Sequence, residues 1–135
     1  MDTLNPTARS ELMRRVRGKD TQPEMIVRRL AHRLGYRFRL HRRNLPGHPD
    51  LVFPARRAVI FVHGCFWHQH DCSRGARRPI SNKAYWHSKL DRNIERDREA
   101  REQLESQGWR VLVLWECEMR DADQLSHRLI SFLNT

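Results

Sequence analysis

Ala58-Val-Ile-Phe-Val-His-Gly-Cys-Phe-Trp-His-Gln-His-Asp-Cys72 is the stretch on which the reading of this chain turns. Its first residues, Ala58 to Val62, are apolar without alternation, as in a strand buried on both faces. The ten residues after Val62 then hold three histidines, two cysteines, an acid and the adjacent aromatics Phe66 and Trp67. Ligand-type side chains crowded just past a core strand point to metal chemistry, catalysis or both.

Working outward, Asp50-Leu-Val-Phe53 predicts a short strand broken by Pro54. Leu45-Pro-Gly-His-Pro49 predicts a turn before it. Tyr36, Phe38 and Leu40 alternate with arginines, which predicts a strand with one buried face. Thr21-Gln-Pro-Glu24 has the form of a capping box with proline in the first turn. Ile26, Val27, Leu30, Ala31 and Leu34 follow at helical spacing up to Gly35, so a helix is expected from Pro23 to Leu34.

On the other side, residues 71–80 are rich in Gly, Arg and Pro and read as a loop. Asn82 to Gln107 reads as a long helix closed by Gly108. Its expected inner face carries Trp86, Leu90, Ile94 and Leu104, with Asp97 near that face. Trp109 to Trp115 is the most apolar run and is expected as a central strand. Leu125, Leu129, Ile130 and Leu133 place a last helix over Ala122 to Leu133. The order α-β-β-β-α-β-α predicts an α/β fold, a mixed sheet flanked by helices. Residues 21–135 form one expected domain, preceded by a basic arm over residues 1–20 that includes Met13, Arg14 and Arg15.

The chain has 135 residues, 26 Lys plus Arg against 16 Asp plus Glu, and a net charge of +10. A basic domain without a hydrophobic anchor points first to nucleic acid. The N-terminus lacks the apolar region of a signal peptide, and no apolar run approaches transmembrane length. Three cysteines, an odd number, argue against a closed disulfide framework and fit the cytosol.

Three constellations carry chemistry. Cys65, His70 and Cys72 could share one zinc knuckle, closed by Cys117 if the third and fourth strands are neighbours; His68 is an alternative fourth ligand. Asp50 at a strand start, Glu24 on the first helix and Asp97 on the long helix are oxygen donors of the kind that bind magnesium. His63 and His68 add imidazoles suited to proton transfer near neutral pH. Asp97 also fits a plain salt bridge to a neighbouring arginine. Phe66, Trp67 and Trp86 fit either a core or an exposed surface that stacks on bases or wedges between them, whereas Trp109 and Trp115 fit a core.

These segments together resemble the very short patch repair (Vsr) DNA mismatch endonucleases. The resemblance is carried by Leu45-Pro-Gly-His-Pro-Asp50, Phe61-Val-His-Gly-Cys-Phe-Trp-His-Gln-His-Asp-Cys72, Asn93-Ile-Glu-Arg-Asp97 and Gly108-Trp-Arg-Val-Leu-Val-Leu-Trp-Glu-Cys117. Arg9-Ser10-Glu-Leu-Met13 adds to it. It implies a restriction-endonuclease-like core and a nick on the 5′ side of the thymine in a T:G mismatch, the product of 5-methylcytosine deamination. It implies a structural zinc on Cys65, His70, Cys72 and Cys117. It implies a catalytic magnesium on Asp50 and the carbonyl of Val62.

By the same resemblance His68 activates the attacking water, Asp97 orients His68, and His63 and Glu24 stand at the phosphate and the metal waters. Phe66, Trp67 and Trp86 insert beside the mismatch, and the arm with Met13, Arg14 and Arg15 embraces the other side. The implied setting is the bacterial cytoplasm, on nucleoid DNA, as a monomer able to recruit mismatch-repair proteins.

The chain departs from ordinary restriction enzymes, where Pro-Asp is followed by acid-x-Lys. Here Pro49-Asp50 is followed by Phe61-Val62-His63, which matches the repair family. His48 stands where that family's turn leads one to expect arginine, and the chain carries no long tail after its last helix. The competing expectations are a zinc-stabilised DNA-binding module without catalysis and a related nuclease of different specificity.

Overall fold

A computed structural model describes residues 21–70, 72 and 82–134. The expected arm and most of the 71–80 loop lie outside the described residues. Helix α1 (Gln22–Arg33) begins where its sequence predicts, with proline in the first turn. Only half of the expected capping box forms: the Thr21 hydroxyl accepts from the Glu24 N–H at 3.4 Å, while the Glu24 side chain turns inward to His41. Strand β1 (Arg39–Leu40) pairs antiparallel with β2 (Leu51–Phe53), and β2 pairs antiparallel with β3 (Ala58–His63). Helix α2 (Lys83–Ser106) crosses to β4 (Arg110–Trp115), which runs parallel to β3, and α3 (Ala122–Leu133) follows. The element order is the expected one.

The sheet divides two cores. Residues on β3 alternate across it, as a strand requires. Ala58 and Ile60 join Val27, Leu30 and Ala31 of α1 and Leu125, Leu129 and Leu133 of α3. Val59 and Phe61 face the other way, with Leu45, Leu104 and Trp109. Each of the fully buried leucines of α3 contributes about 1.5–3 kcal/mol by leaving water.

Four other expectations fail in detail. Trp109–Trp115 is not a central strand: among the described residues β4 lies at the edge, in the order β1-β2-β3-β4. Its apolar character comes from helices packed over both faces rather than from strands on both sides. Tyr36 and Phe38 do not pair in the sheet, although both rings pack on Phe53. Ile94 is 40% exposed rather than part of the inner face of α2, whose buried residues are Leu90, Ala100 and Leu104. Ile130 of α3 is likewise exposed.

The turn before β2 is clamped at Gly47. Its φ of +73° suits glycine, and a Cβ there would stand 2.6 Å from the Ala100 side chain and 3.1 Å from the Phe61 ring. Glycine therefore lets the turn lie flat on α2 and β3, and this fixes where Asp50 enters the sheet. No helix among the described residues is long and apolar enough to cross a membrane.

Candidate active site and metal-ligand clusters

A cleft of about 1260 Å³ opens where β3 and β4 end. Glu24 from α1, His48 and Asp50 from the turn into β2, and Val62, His63 and His68 from β3 and its loop line it. Asn93 and Asp97 of α2 and Trp115 of β4 complete the wall.

Asp50 is fixed by the edge of β3. Its N–H donates to the Ile60 carbonyl at 3.1 Å, and its Oδ2 accepts from the Val62 N–H at 2.7 Å. Alternate residues of a strand present their backbone groups to the same edge, so the Val62 carbonyl belongs to the edge that Asp50 occupies. Glu24, only 1% exposed, faces Asp50 together with His41, and the ligand atoms of all three lie within 4.8 Å of one another. Burial pushes the Asp50 carboxyl up to about 7, the Val62 N–H opposes this, and the Glu24 carboxylate adds to the rise. Two buried oxygen-donor acids that repel each other are a place a hard divalent cation would relieve.

The second cluster pairs His68 with Asp97. His68 Nδ1 and Asp97 Oδ2 are 2.5 Å apart. That contact holds the tautomer with the proton on Nδ1 and leaves Nε2 as the basic nitrogen. Asp97 thus serves an imidazole, not the arginine salt bridge that the sequence left open. The His68 ring stacks on His63 with centroids 3.7 Å apart and planes within 6°. His63 is 7% exposed, and its buried Nδ1 has no hydrogen-bond partner among the described residues. Burial, with a smaller push from His68, drives its basicity down to about 2, so His63 is neutral at working pH.

The third cluster is sulfur-rich. The parallel register sets His63 opposite Trp115, so the chain leaves β3 and β4 at one level. Cys65 and Cys117 therefore meet, and with His70 and Cys72 their ligand atoms lie within 4.8 Å of one another. His70 Nδ1 is 3.4 Å from Cys117 Sγ and 3.8 Å from Cys65 Sγ, and its ring stacks on Trp115 at 4.1 Å. Burial pushes the Cys65 thiol up to about 12; the Cys117 backbone opposes this, and the Cys72 and Cys117 side chains add to the rise. Three thiols and an imidazole crowded together form a donor set that a tetrahedral soft-metal site uses.

The aromatics are packed on one another. Phe66, Trp67 and Trp86 have ring centroids 5.1–5.8 Å apart. Phe66 and Trp86 are half-buried, but Trp67 is only 7% exposed, which corrects the exposed alternative for that residue. Asn93 donates to the Trp67 carbonyl at 3.1 Å. Asn93 and Asp97 are one helical turn apart, so α2 grips the loop at both its aromatic and its imidazole parts.

Comparison with known proteins shows what this geometry belongs to. Residues 1–74 match the family model described as DNA mismatch endonuclease Vsr. The chain is 51% identical over 133 residues to the type II nicking enzyme V.XorIIP of Xanthomonas oryzae, covering 98% of this chain and 97% of that protein. It is 38% identical over 130 residues to the DNA mismatch endonuclease Vsr of Escherichia coli, covering 96% and 83%. It is 37% identical over 128 residues to the type II nicking enzyme V.NmeAIP of Neisseria meningitidis, covering 95% and 91%.

The chain belongs to the Vsr DNA mismatch endonuclease family. It is, with that family, a DNA endonuclease and a hydrolase.

Of the residues singled out from the Vsr resemblance, Glu24, Asp50, Val62, His63, His68, Asp97, Phe66, Trp67 and Trp86 meet in one cleft. Cys65, His70, Cys72 and Cys117 meet beside it. Met13, Arg14 and Arg15 lie outside the described residues. His41 was not singled out by sequence reasoning, because it sits in a basic run, His41-Arg42-Arg43, that reads as solvated surface. The hairpin register held the missing signal: pairing Leu40 with Leu51 sets His41 opposite Asp50.

Proposed function

We propose that this Vsr-family chain nicks one strand of duplex DNA 5′ to the thymine of a T:G mismatch by magnesium-dependent phosphodiester hydrolysis, and so begins short-patch repair. The observation that carries the reading is the placing of two unlike groups in one cleft: the Glu24–Asp50 acid pair and the His68–Asp97 dyad. The acid pair, with the Val62 carbonyl edge, offers oxygen donors that fit Mg²⁺. Bound there, Mg²⁺ supplies charge stabilisation at the scissile phosphate.

The residues of the chain do the rest. His68 Nε2 takes a proton from water. The water oxygen bonds to phosphorus as the bond from phosphorus to the leaving sugar oxygen breaks, and that oxygen takes a proton from solvent to leave as a hydroxyl. Asp97 holds the imidazole and stabilises the imidazolium that forms. His63, kept neutral by burial, backs His68 without competing for the proton. In this reading the half-buried Phe66 and Trp86, backed by Trp67, present one aromatic cluster to the base stack, with Met13, Arg14 and Arg15 on the far side. The net charge of +10 supports attraction to phosphate.

Zinc on Cys65, His70, Cys72 and Cys117 is the structural part of the proposal. It would tie the loop after β3 to the end of β4 and hold His68 over the cleft. The enzyme is read as a monomer of the bacterial cytoplasm that works on nucleoid DNA and meets mismatch-repair proteins there.

The test is a duplex carrying one T:G pair, compared with other mismatches and full pairing, with Mg²⁺ present. Asp50→Ala and His68→Ala should bind the duplex and not nick it. Undiminished nicking by either variant contradicts the assignment. Equal cutting of paired DNA overturns the mismatch specificity.

A further inference from the structure

Behind the acid pair stands a residue that makes no part of the cleft wall. His41 follows β1 with a φ of +48°, a left-handed conformation that a side-chain-bearing residue adopts at a cost. Two contacts hold it there. Its backbone N–H donates to the Asp50 carbonyl at 3.2 Å, and its ring Nε2 lies 2.8 Å from Glu24 Oε2. The imidazole is 14% exposed and the Glu24 side chain 2%. One residue thus touches both acids, the backbone of one and the carboxylate of the other.

Among the described residues Glu24 has two other side-chain partners, the Asp50 carboxyl, which hydrogen-bonds to it while protonated, and Arg28. The Arg28 guanidinium reaches the same oxygen only at 3.5 Å. A shared proton can hold the two carboxyls together in the cation-free protein, but once both ionise to receive a cation they repel, and a donor outside the pair is then needed to keep Glu24 facing Asp50. A Nε2–H donated to Oε2 holds the group in place and leaves Oε1 on the other side of the carboxyl.

We infer that His41 is a positioning residue of the cation site, donating to Glu24 so that the Glu24 and Asp50 carboxylates stay together for one divalent cation. The inference rests on the proposed reading of that acid pair. It makes His41 an outer partner and not a ligand: at 2.8 Å from Oε2, Nε2 is engaged in a hydrogen bond. Such outer partners are typically worth about 10–100-fold in metal affinity.

The experiment titrates Mg²⁺ alone into DNA-free protein by calorimetry and measures the Mg²⁺ dependence of nicking in parallel. Three variants are used: His41→Leu, His41→Gln and Asp50→Ala. Leucine removes the donor, and glutamine keeps an N–H at similar reach. His41→Leu should weaken Mg²⁺ binding by about 10–100-fold and raise the half-saturating Mg²⁺ for nicking in step. The rate at saturating Mg²⁺ should change little, and His41→Gln should recover most of the affinity.

Wild-type Mg²⁺ affinity in His41→Leu, with binding lost in Asp50→Ala, overturns the role of His41 alone. Equal losses in the leucine and glutamine variants overturn it too, because the imidazole itself would then be required. Unchanged affinity in Asp50→Ala removes the cation site and the inference with it. If His41→Leu does not fold, the glutamine variant in wild-type and Glu24→Ala backgrounds decides the matter. Any cost of His41→Gln should vanish once Glu24 is gone, and an undiminished cost there overturns the role.

Discussion

Two clusters of ligand-type side chains sit at the end of the same strand and are built from opposite materials. Glu24 and Asp50 offer oxygen, from a helix and a strand start that the two cores already hold. Cys65, His70, Cys72 and Cys117 offer sulfur and nitrogen from segments that leave the sheet. Hard donors on rigid elements can bind and release a cation during catalysis, because the scaffold does not depend on it. Soft donors on loops are held together best by a shared ion, so a metal bound there would become part of the fold. Under the proposed function, the difference gives chemistry to the first cluster and architecture to the second.

The sharpest way to break that contrast is to disable each cluster separately. Cys65→Ala or Cys117→Ser, or zinc removal by a chelator, should abolish cooperative melting. Zinc held by such ligands contributes about 10–16 kcal/mol in small domains, more than the stability of most proteins this size. A cysteine variant that melts like the parent and nicks normally would erase the distinction.

Next in size is the dyad. His68→Ala should slow nicking by roughly a hundredfold to ten-thousandfold, and Asp97→Asn by less, with DNA binding kept in both. Melting temperature should hardly move, since both side chains are partly exposed. A large loss of stability in Asp97→Asn would make the pair a structural clasp instead.

Gly47 sharpens the comparison from the side of the scaffold. Gly47→Ala should destabilise by about 1–3 kcal/mol, because the added methyl meets Ala100 at 2.6 Å in a left-handed turn. Asp50 sits three residues on, so nicking should fall along with stability. A neutral Gly47→Ala would show that the turn does not fix the acid.

The smallest effect concerns pH in cation-free protein. Burial lowers His63 from 6.5 to about 2, so between those values the unfolded chain binds one proton more and stability falls as pH drops. Asp50 is raised from 3.8 to about 7, so the folded chain binds one proton more and stability falls as pH rises through that window. Between pH 4 and 6.5 the two slopes oppose each other. Asp50→Asn removes one of them. Relative to the parent its stability should rise with pH across that window, and it should be the more stable protein at pH 7. Parallel stability curves for the two proteins would refute this.

Much of the scaffold was legible because local rules and tertiary packing agree. The N-cap of α1, the stripe of α3 and the unbroken apolar run of β3 each have one reading. The edge position of β4 was not legible, since helices covering both faces give an edge strand the composition of a central one. Ile94 follows Leu90 at helical spacing, yet it faces the cleft, before α2 goes on to bury Ala100 and Leu104 against the core. Of the site, the crowded residues 63–72 and Asp50 stood out through their chemistry. His41 did not, because its role depends on a hairpin register that no local pattern prints.

The most direct test of the contrast measures nicking and melting on the same preparations of Asp50→Asn and Cys117→Ser. The account predicts that Asp50→Asn loses nicking of the T:G duplex by at least about a thousandfold, as loss of several kcal/mol of charge stabilisation at 1.4 kcal/mol per tenfold requires. Its cation-free melting point at pH 7 should match or exceed the parent's, while Cys117→Ser loses its melting transition. An Asp50→Asn protein that nicks at the parent's rate, or a Cys117→Ser protein that is folded and inactive, would contradict it.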